Sequence, residues 1–363
     1  MRITMIGGFL GAGKTTTIAR LARHYLEAGQ RVGIVTNDQA AELVDTQFLR
    51  SQGFSVGEVA GACFCCKFDA LAETLGQLDR QIAPDVILTE PVGSCTDLVA
   101  TVVEPLRALH GDRYEMGPLA VLLKPEHGQR ILTGGPRIGF SPQAEYIFLK
   151  QLEEADVVAV NKVDRLDREA REQLKEALEA RFSGKPILFV SARTGEGFDE
   201  LLLALASSPA PHRSMMEVDY ERYAAGEAEL GWLNAAATAH GSAFSLDQLT
   251  LQLAGELAER LEAARMEAAH VKILAESEGD VSMSNIVSSD RGAELSLACS
   301  VQVDRADLTV NARVAGDPDL LKTIVEDGLD AVGAMLGVRL ALGAVHHFRP
   351  APPVPTHRFQ SGE

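Results

Sequence analysis

The chain has 363 residues, of which 46% are hydrophobic, and a mean hydropathy of +0.02. This is the profile of a soluble globular protein long enough to bury two separate cores. A net charge of −17 argues against a general nucleic-acid binder or an anionic-membrane binder, since either surface repels the molecule as a whole.

The opening "MRITMIGGFLGAGKTT" is a short apolar run entering a glycine loop, with neither the length nor the cleavage site of a signal peptide. No run approaches the roughly 18 apolar residues of a membrane span. A cytoplasmic address is expected, with no membrane and no nucleic-acid partner, and there the five cysteines are expected as reduced thiols.

Gly8-Phe9-Leu10-Gly11-Ala12-Gly13-Lys14-Thr15 fits G-x-x-x-x-G-K-[ST], placed between a predicted strand and a predicted helix. Glycines let backbone N–H groups wrap phosphates, and the helix N-terminus adds a favourable dipole. Gly8, Gly11, Ala12, Gly13, Lys14, Thr15 and Thr16 are therefore candidate nucleotide contacts. Lys14 is expected to reach the β and γ phosphates, and the Thr15 hydroxyl to bind Mg²⁺.

Further along, "RVGIVT" and "DVILTE" read as buried strands, with Asp38 and Glu90 at their C-terminal ends. Either carboxylate can hold Mg²⁺ or orient an attacking water, and Asp45 is a further candidate. Between them, "FSVGEVAG" runs into Gly61-Ala62-Cys63-Phe64-Cys65-Cys66, three thiols within four residues ahead of a helix starting near Phe68. Three soft thiolates suit Zn²⁺, Cu(I) or Co²⁺ and leave a fourth position open, which Glu58, water or a receiving protein can fill. A reversible disulfide is the competing reading of the same cluster.

"LAVLL", "DVVAVN" and "PILFVS" continue the alternation of strands and helices, which predicts a mainly parallel sheet covered on both faces. Asn161-Lys162-Val163-Asp164 follows one of these strands. The Asp164 carboxylate can accept from both the ring N–H and the exocyclic amine of guanine, a donor pair adenine lacks, while Lys162 lies along the base. After the next strand, Ser191-Ala192-Arg193 offers backbone N–H groups to the guanine carbonyl. The order of these motifs predicts GTP and GDP as ligands; a P-loop kinase is the alternative.

"SSPAPHR" has linker composition, and residues 207–244 are assigned to a linker and connecting segment. Ser245 and Gln248 then form a capping box ahead of Leu246, Leu249, Leu253, Leu257 and Leu261 at helical spacing. Strand-like runs at 271–276, 283–288, 295–303 and 308–314 precede a helix from Asp317-Pro318 to Gly337, and "VRLALGAVHHF" reads as a last strand. The alternation around Cys299 places that thiol in the core, and Trp232 is expected as a packing anchor. The proline-rich end, 350–363, is expected to be loose. The expected fold is α/β: a P-loop GTPase domain over 1–206, followed by a smaller α+β domain over 245–349.

Taken together, the Walker A sequence near residue 8, the Asn37-Asp38 pair, Glu58-x-x-Gly61-x-Cys63-x-Cys65-Cys66, Glu90-x-x-Gly93 and Asn161-Lys162-x-Asp164 resemble the CobW group of GTPases. That group is related to the GTPases that insert nickel into urease and hydrogenase. The resemblance spans roughly residues 1–205. It implies a metallochaperone with slow intrinsic GTPase activity. Cys63, Cys65 and Cys66 would then carry Zn²⁺ or Co²⁺ to a client metalloprotein. In "EPVGSCTDL" the chain departs from the family's threonine-rich "ETTG", putting Pro91 in the presumed switch and a fourth thiol, Cys95, beside it. This departure motivates two other readings, a GTPase that assists a corrinoid protein and a redox-sensing GTPase.

Overall fold

The computed structural model describes residues 1–39, 44–134, 141–207, 215–286 and 292–360. The chain divides into two units, each assembled from separated stretches. The first comprises Met1–Gln39, Gly53–Gly226 and Pro352–Glu363; the second comprises Ala40–Gln52 and Glu227–Ala351.

The first unit is built on strands β1 (Arg2–Gly8), β2 (Val32–Asp38), β3 (Ser55–Ala60), β4 (Val86–Glu90), β5 (Glu115–Leu123), β6 (Val157–Val160) and β7 (Ile187–Phe189). Their order is β3-β2-β4-β1-β5-β6-β7, and every neighbouring pair is parallel. Strands buried on both faces need continuous rather than alternating apolar runs. Ile3, Ile6, Ile34, Val35, Ile87, Leu88, Leu119 and Val158 are accordingly excluded from solvent. The chain crosses from one side of β1 to the other, so loops at the C-terminal ends of β1, β2, β4 and β6 gather on one edge, where ligands of open α/β sheets bind. The expected α/β class with its parallel sheet is what the molecule has.

The second unit has strands β8 (Leu230–Ser245), β9 (Glu267–Ser277), β10 (Asp280–Ile286), β11 (Ala293–Leu297), β12 (Gln302–Ala315) and β13 (Arg339–Phe348). They form an antiparallel sheet of order β11-β10-β9-β12-β8-β13. Helices Leu246–Ala263 and Pro318–Leu336 bury Leu249, Leu253, Leu257, Leu321 and Leu329 in one core with the strand residues Leu233, Ala235, Ala237 and Ala239. Both helices start as expected: Ser245 Oγ accepts the Gln248 N–H at 3.2 Å, and the Asp317 carboxylate accepts the Asp319 N–H at 2.9 Å. Trp232 is buried, with the Arg313 guanidinium 4.0 Å from its ring centre.

Three expectations are corrected. The stretch 207–244 is not a connector throughout: it holds helix Tyr220–Ala228 and most of β8. Its alanines carry no strand signature, but pairing with β12 on one side and β13 on the other fixes them as a strand. Cys299 packs against the core of the second unit, but from beyond the end of β11 rather than on a strand face, and only half-buried, its N–H donating to Asp247 at 3.1 Å. Residues 352–359 are held to the first unit by hydrogen bonds rather than loose, and residues 361–363 of the expected loose end lie outside the described residues.

Candidate functional site

The glycine loop between β1 and helix Lys14–Glu27 has the backbone its sequence requires. Gly8 and Gly13 adopt φ of 132° and 89°, a region that side chains disfavour. A Cβ on Gly8 would lie 2.2 Å from the Leu122 carbonyl oxygen, and one on Gly13 would lie 2.4 Å from Asn161 Nδ2. Lys14, buried, donates from Nζ to the Gly8 carbonyl at 3.0 Å, which folds the ammonium back over the loop. Thr15 Oγ1 donates to the Glu90 carboxylate at 3.0 Å, joining the start of the helix to the end of β4.

Asn161, at the end of β6, ties the second motif to the first. Its Nδ2 donates to the Ala12 carbonyl at 2.8 Å, while its Oδ1 accepts the Lys162 and Ala192 N–H groups at 2.8 and 3.0 Å. Lys162 has a positive φ of 65°, which turns the chain into a short 3₁₀ segment, Val163–Arg165. Asp164 accepts from Ser191 Oγ at 2.6 Å and pairs with Arg193. Burial raises its pKa, but Ser191 and Arg193 outweigh that and hold the carboxyl below its ordinary range. The structure therefore brings Asn161, Lys162, Asp164, Ser191, Ala192 and Arg193 together with Ala12 and Gly13 of the glycine loop, while Gly11 lies in the same loop and Thr16 is an exposed residue of the helix after it.

Asp38 ends β2, and its carboxylate accepts the Gln39 N–H at 2.6 Å. Asp45 lies in the second unit, paired there with Lys272 of β9, and does not join this group. Sequence reasoning gave no structural role to Asn37. Its Nδ2 donates to the carbonyls of Val59 and Ala62, both at 2.8 Å, and its Oδ1 accepts the Phe64 N–H at 2.8 Å. The Asp38 carbonyl accepts the Gly61 N–H at 3.1 Å. Two adjacent residues of β2 thus hold the loop that carries the cysteines. His127 was also missed: it is buried edge-on to Phe9 of the glycine loop, and burial with nearby Lys124 holds its pKa well below the usual range.

The three thiols converge. Sγ–Sγ separations are 2.9 Å for Cys63 and Cys65, 3.3 Å for Cys63 and Cys66, and 3.7 Å for Cys65 and Cys66. The loop closes on itself through the Cys66 and Lys67 N–H groups, which both donate to the Cys63 carbonyl at 3.0 Å. Among the described residues these three form the one cluster of side chains able to hold an ion, and Glu58 does not join it. Hydrogen bonds from Cys65 and Cys66 favour the Cys63 thiolate; the same bonds push Cys65 up and Cys66 to about 11. A soft cation would bind such a cluster through its thiolates, so metal binding displaces thiol protons. Cys95 is buried and adds a further thiol hydrogen bond to Cys63.

Behind Cys95 lies a polar network that the sequence did not reveal. Gln151 Nε2 donates to the Gly93 and Cys95 carbonyls at 3.0 and 2.8 Å. Asp97, with φ of 65° and 1% exposure, accepts from Tyr220 Oη and from Arg358 Nε, both at 2.8 Å. Glu154 accepts the Thr96 hydroxyl at 3.2 Å and the Val99 N–H at 3.1 Å, and burial raises its pKa to about 8.

A parallel sheet with this glycine loop after its central strand, and an N-K-x-D turn two strands away, defines a P-loop nucleotide-binding protein. Residues 2–189, about half of the chain, match the model of the CobW/HypB/UreG family, nucleotide-binding domain, and the chain belongs to that family. It is 27% identical over 249 residues to a zinc chaperone CobW of a Sinorhizobium species, covering 60% of this chain and 67% of the relative. It is 29% identical over 181 residues to the zinc chaperone YeiR of Escherichia coli, covering 48% of this chain and 50% of the relative. Among solved structures, the Zn(II)-bound YjiA GTPase of E. coli aligns over 93% of this chain and 98% of its own, with 17% identity and a TM-score of 0.40.

Proposed function

We propose that the protein is a GTP-hydrolysing metallochaperone that carries Zn²⁺ or Co²⁺ on Cys63, Cys65 and Cys66 and hands it to a client metalloprotein. The observation that carries this reading is the Asn37 clamp, which makes the cysteine loop a mechanical extension of a strand that ends at the nucleotide edge. Two relatives are zinc chaperones, which supports zinc over cobalt.

The donor set fits the cargo. Two thiolates on one tetrahedral zinc, with Zn–S of about 2.3 Å, lie about 3.8 Å apart. Cys65 and Cys66 already stand at 3.7 Å, and the other two pairs need to open by less than about 1 Å. Cys95 lies outside this ligand group, and the client can offer a competing thiol at the open fourth position.

On this reading the glycine loop and Lys14 bind the phosphates, and Asp164, with Ser191, Ala192 and Arg193 around it, selects guanine. Thr15 and Asp38 would hold Mg²⁺, which when bound neutralises phosphate charge. Glu90, hydrogen-bonded to Thr15, orients the attacking water. Loss of the γ phosphate releases Asp38, and the clamp transmits the change to the thiols.

The test is linkage. Zinc affinity is measured by chelator competition with GDP and with a non-hydrolysable GTP analogue. A difference of about fivefold or more is expected, mirrored in the nucleotide affinities with and without zinc. Equal affinities in both nucleotide states overturn the coupling.

A further inference from the structure

The C-terminal residues 352–359 lie across the cysteine loop within the first unit. In Pro352-Pro353-Val354-Pro355-Thr356, prolines leave two backbone donors, those of Val354 and Thr356. Both are spent on the cysteine loop: the Val354 N–H donates to Cys66 Sγ at 3.2 Å, and the Thr356 N–H to the Cys65 carbonyl at 2.8 Å. The Thr356 hydroxyl adds a bond to the Cys66 carbonyl at 3.3 Å. His357 stands edge-on to Phe68, 4.9 Å between ring centres, at the start of the helix that follows the thiols.

The segment is anchored beyond the thiols by two features that the rest of the unit leaves ready for it. Residues Val99–Val103 form a π turn, in which the Glu104 N–H reaches back to the Val99 carbonyl. The next bond of that pattern would join residue 105 to the Ala100 carbonyl, but Pro105 has no N–H to give. The Phe359 N–H supplies it instead, at 2.9 Å. Next to this, Arg358 Nε donates to the buried Asp97 carboxylate at 2.8 Å, and Arg358 also donates to the Met216 carbonyl at 3.1 Å.

We propose that residues 352–359 are a strap that completes the thiol site. Val354 supplies an N–H donor to the Cys66 sulfur, and Arg358 latches the strap to Asp97, so that undocking it controls how fast metal leaves the thiols. This rests on the reading of the cluster as a metal site. An N–H bonded to a thiolate withdraws charge without competing for the metal, and the strap covers Cys66, the most exposed of the three thiols, against chelators and clients.

The experiment uses the full chain and three variants: Arg358→Ala, Arg358→Lys and Val354→Pro, the last of which removes one donor and leaves the latch. The rate at which metal-free protein reacts with a disulfide reagent reports access to Cys66, identified by mapping the modified peptide. Transfer of bound zinc to a chromophoric chelator reports retention. Arg358→Ala is expected to accelerate both by about tenfold or more, with Arg358→Lys in between. Val354→Pro is expected to accelerate zinc transfer several-fold with a smaller change in thiol access. Wild-type rates of zinc transfer in Val354→Pro, or wild-type thiol access in a folded Arg358→Ala, overturn the strap. Faster thiol reaction in a protein that binds no zinc in any form keeps the strap as a thiol cover but overturns its role in metal retention, together with the metal reading itself.

Discussion

The Asn37 side-chain oxygen accepts the Phe64 N–H at 2.8 Å, joining the penultimate residue of β2 to the middle of the three-thiol loop. With its amide bonded to Val59 and Ala62, this one side chain spends three hydrogen bonds on shaping the loop. Replacing Asn37 with Ala leaves those loop groups without their partner inside the protein. Zinc affinity is expected to fall by about 10- to 100-fold while guanine-nucleotide affinity stays near that of the parent. Chelator competition and nucleotide titration on the same preparation check it, and an unchanged zinc affinity removes Asn37 from the coupling.

Asp164 is held ionised by Ser191 and Arg193, with both carboxylate oxygens fixed. Asp164→Asn puts an NH₂ where one acceptor stood, so it meets the guanine amine donor to donor. GDP affinity is expected to drop by about 100-fold or more, while xanthine nucleotide, which has a carbonyl at that position, gains. Retained GDP preference in the variant reopens the kinase alternative.

Gly13 has no room for a methyl group, because a Cβ would stand 2.4 Å from Asn161 Nδ2 at a φ of 89°. Gly13→Ala is expected to push Asn161 away from the Ala12 carbonyl and disturb both nucleotide motifs at once. Nucleotide affinity should fall by at least about tenfold, with a lower thermal midpoint from the added backbone strain of about 1 kcal/mol or more. Isothermal titration and a melting curve together measure the two effects.

Glu154 supplies a pH dependence. Burial raises its folded pKa from 4.5 to about 8, so the folded protein holds a proton that the unfolded chain releases. The stability this contributes is fully present below about 4.5 and is lost as pH rises through about 8. The urea midpoint should therefore fall between pH 6 and pH 9 in the parent and fall less in Glu154→Gln. Parallel pH profiles for the two proteins assign the titration elsewhere.

Much of the first unit was legible because its signals are local. Continuous apolar runs such as Val157–Val160 announce strands buried on both faces, and the loop after Gly8 announces its own geometry through glycines. The second unit was half legible. Capping residues Ser245 and Asp317 marked their helices, but β8 escaped because alanine is mildly disfavoured in strands and favoured in helices. The helix Val44–Ser51 was equally opaque: the Val44 N–H bonds to Asn311 Oδ1 at 2.8 Å, which assigns that stretch to the second unit although it lies between two strands of the first.

By itself the sequence determined the parallel-sheet class, the glycine loop, the N-K-x-D motif and the three candidate thiols, since each is written in neighbouring residues whose spacing fixes the backbone. Tertiary structure alone decided that Asn37 clamps the thiol loop, that Asp45 joins the second unit and that the chain's end bonds to Cys66 from 288 residues away. The reason is that a backbone donor has no side-chain identity to read. Which carbonyl or sulfur it meets depends on how every intervening element closes, and a proline-rich end carries no periodic pattern to say where it lands.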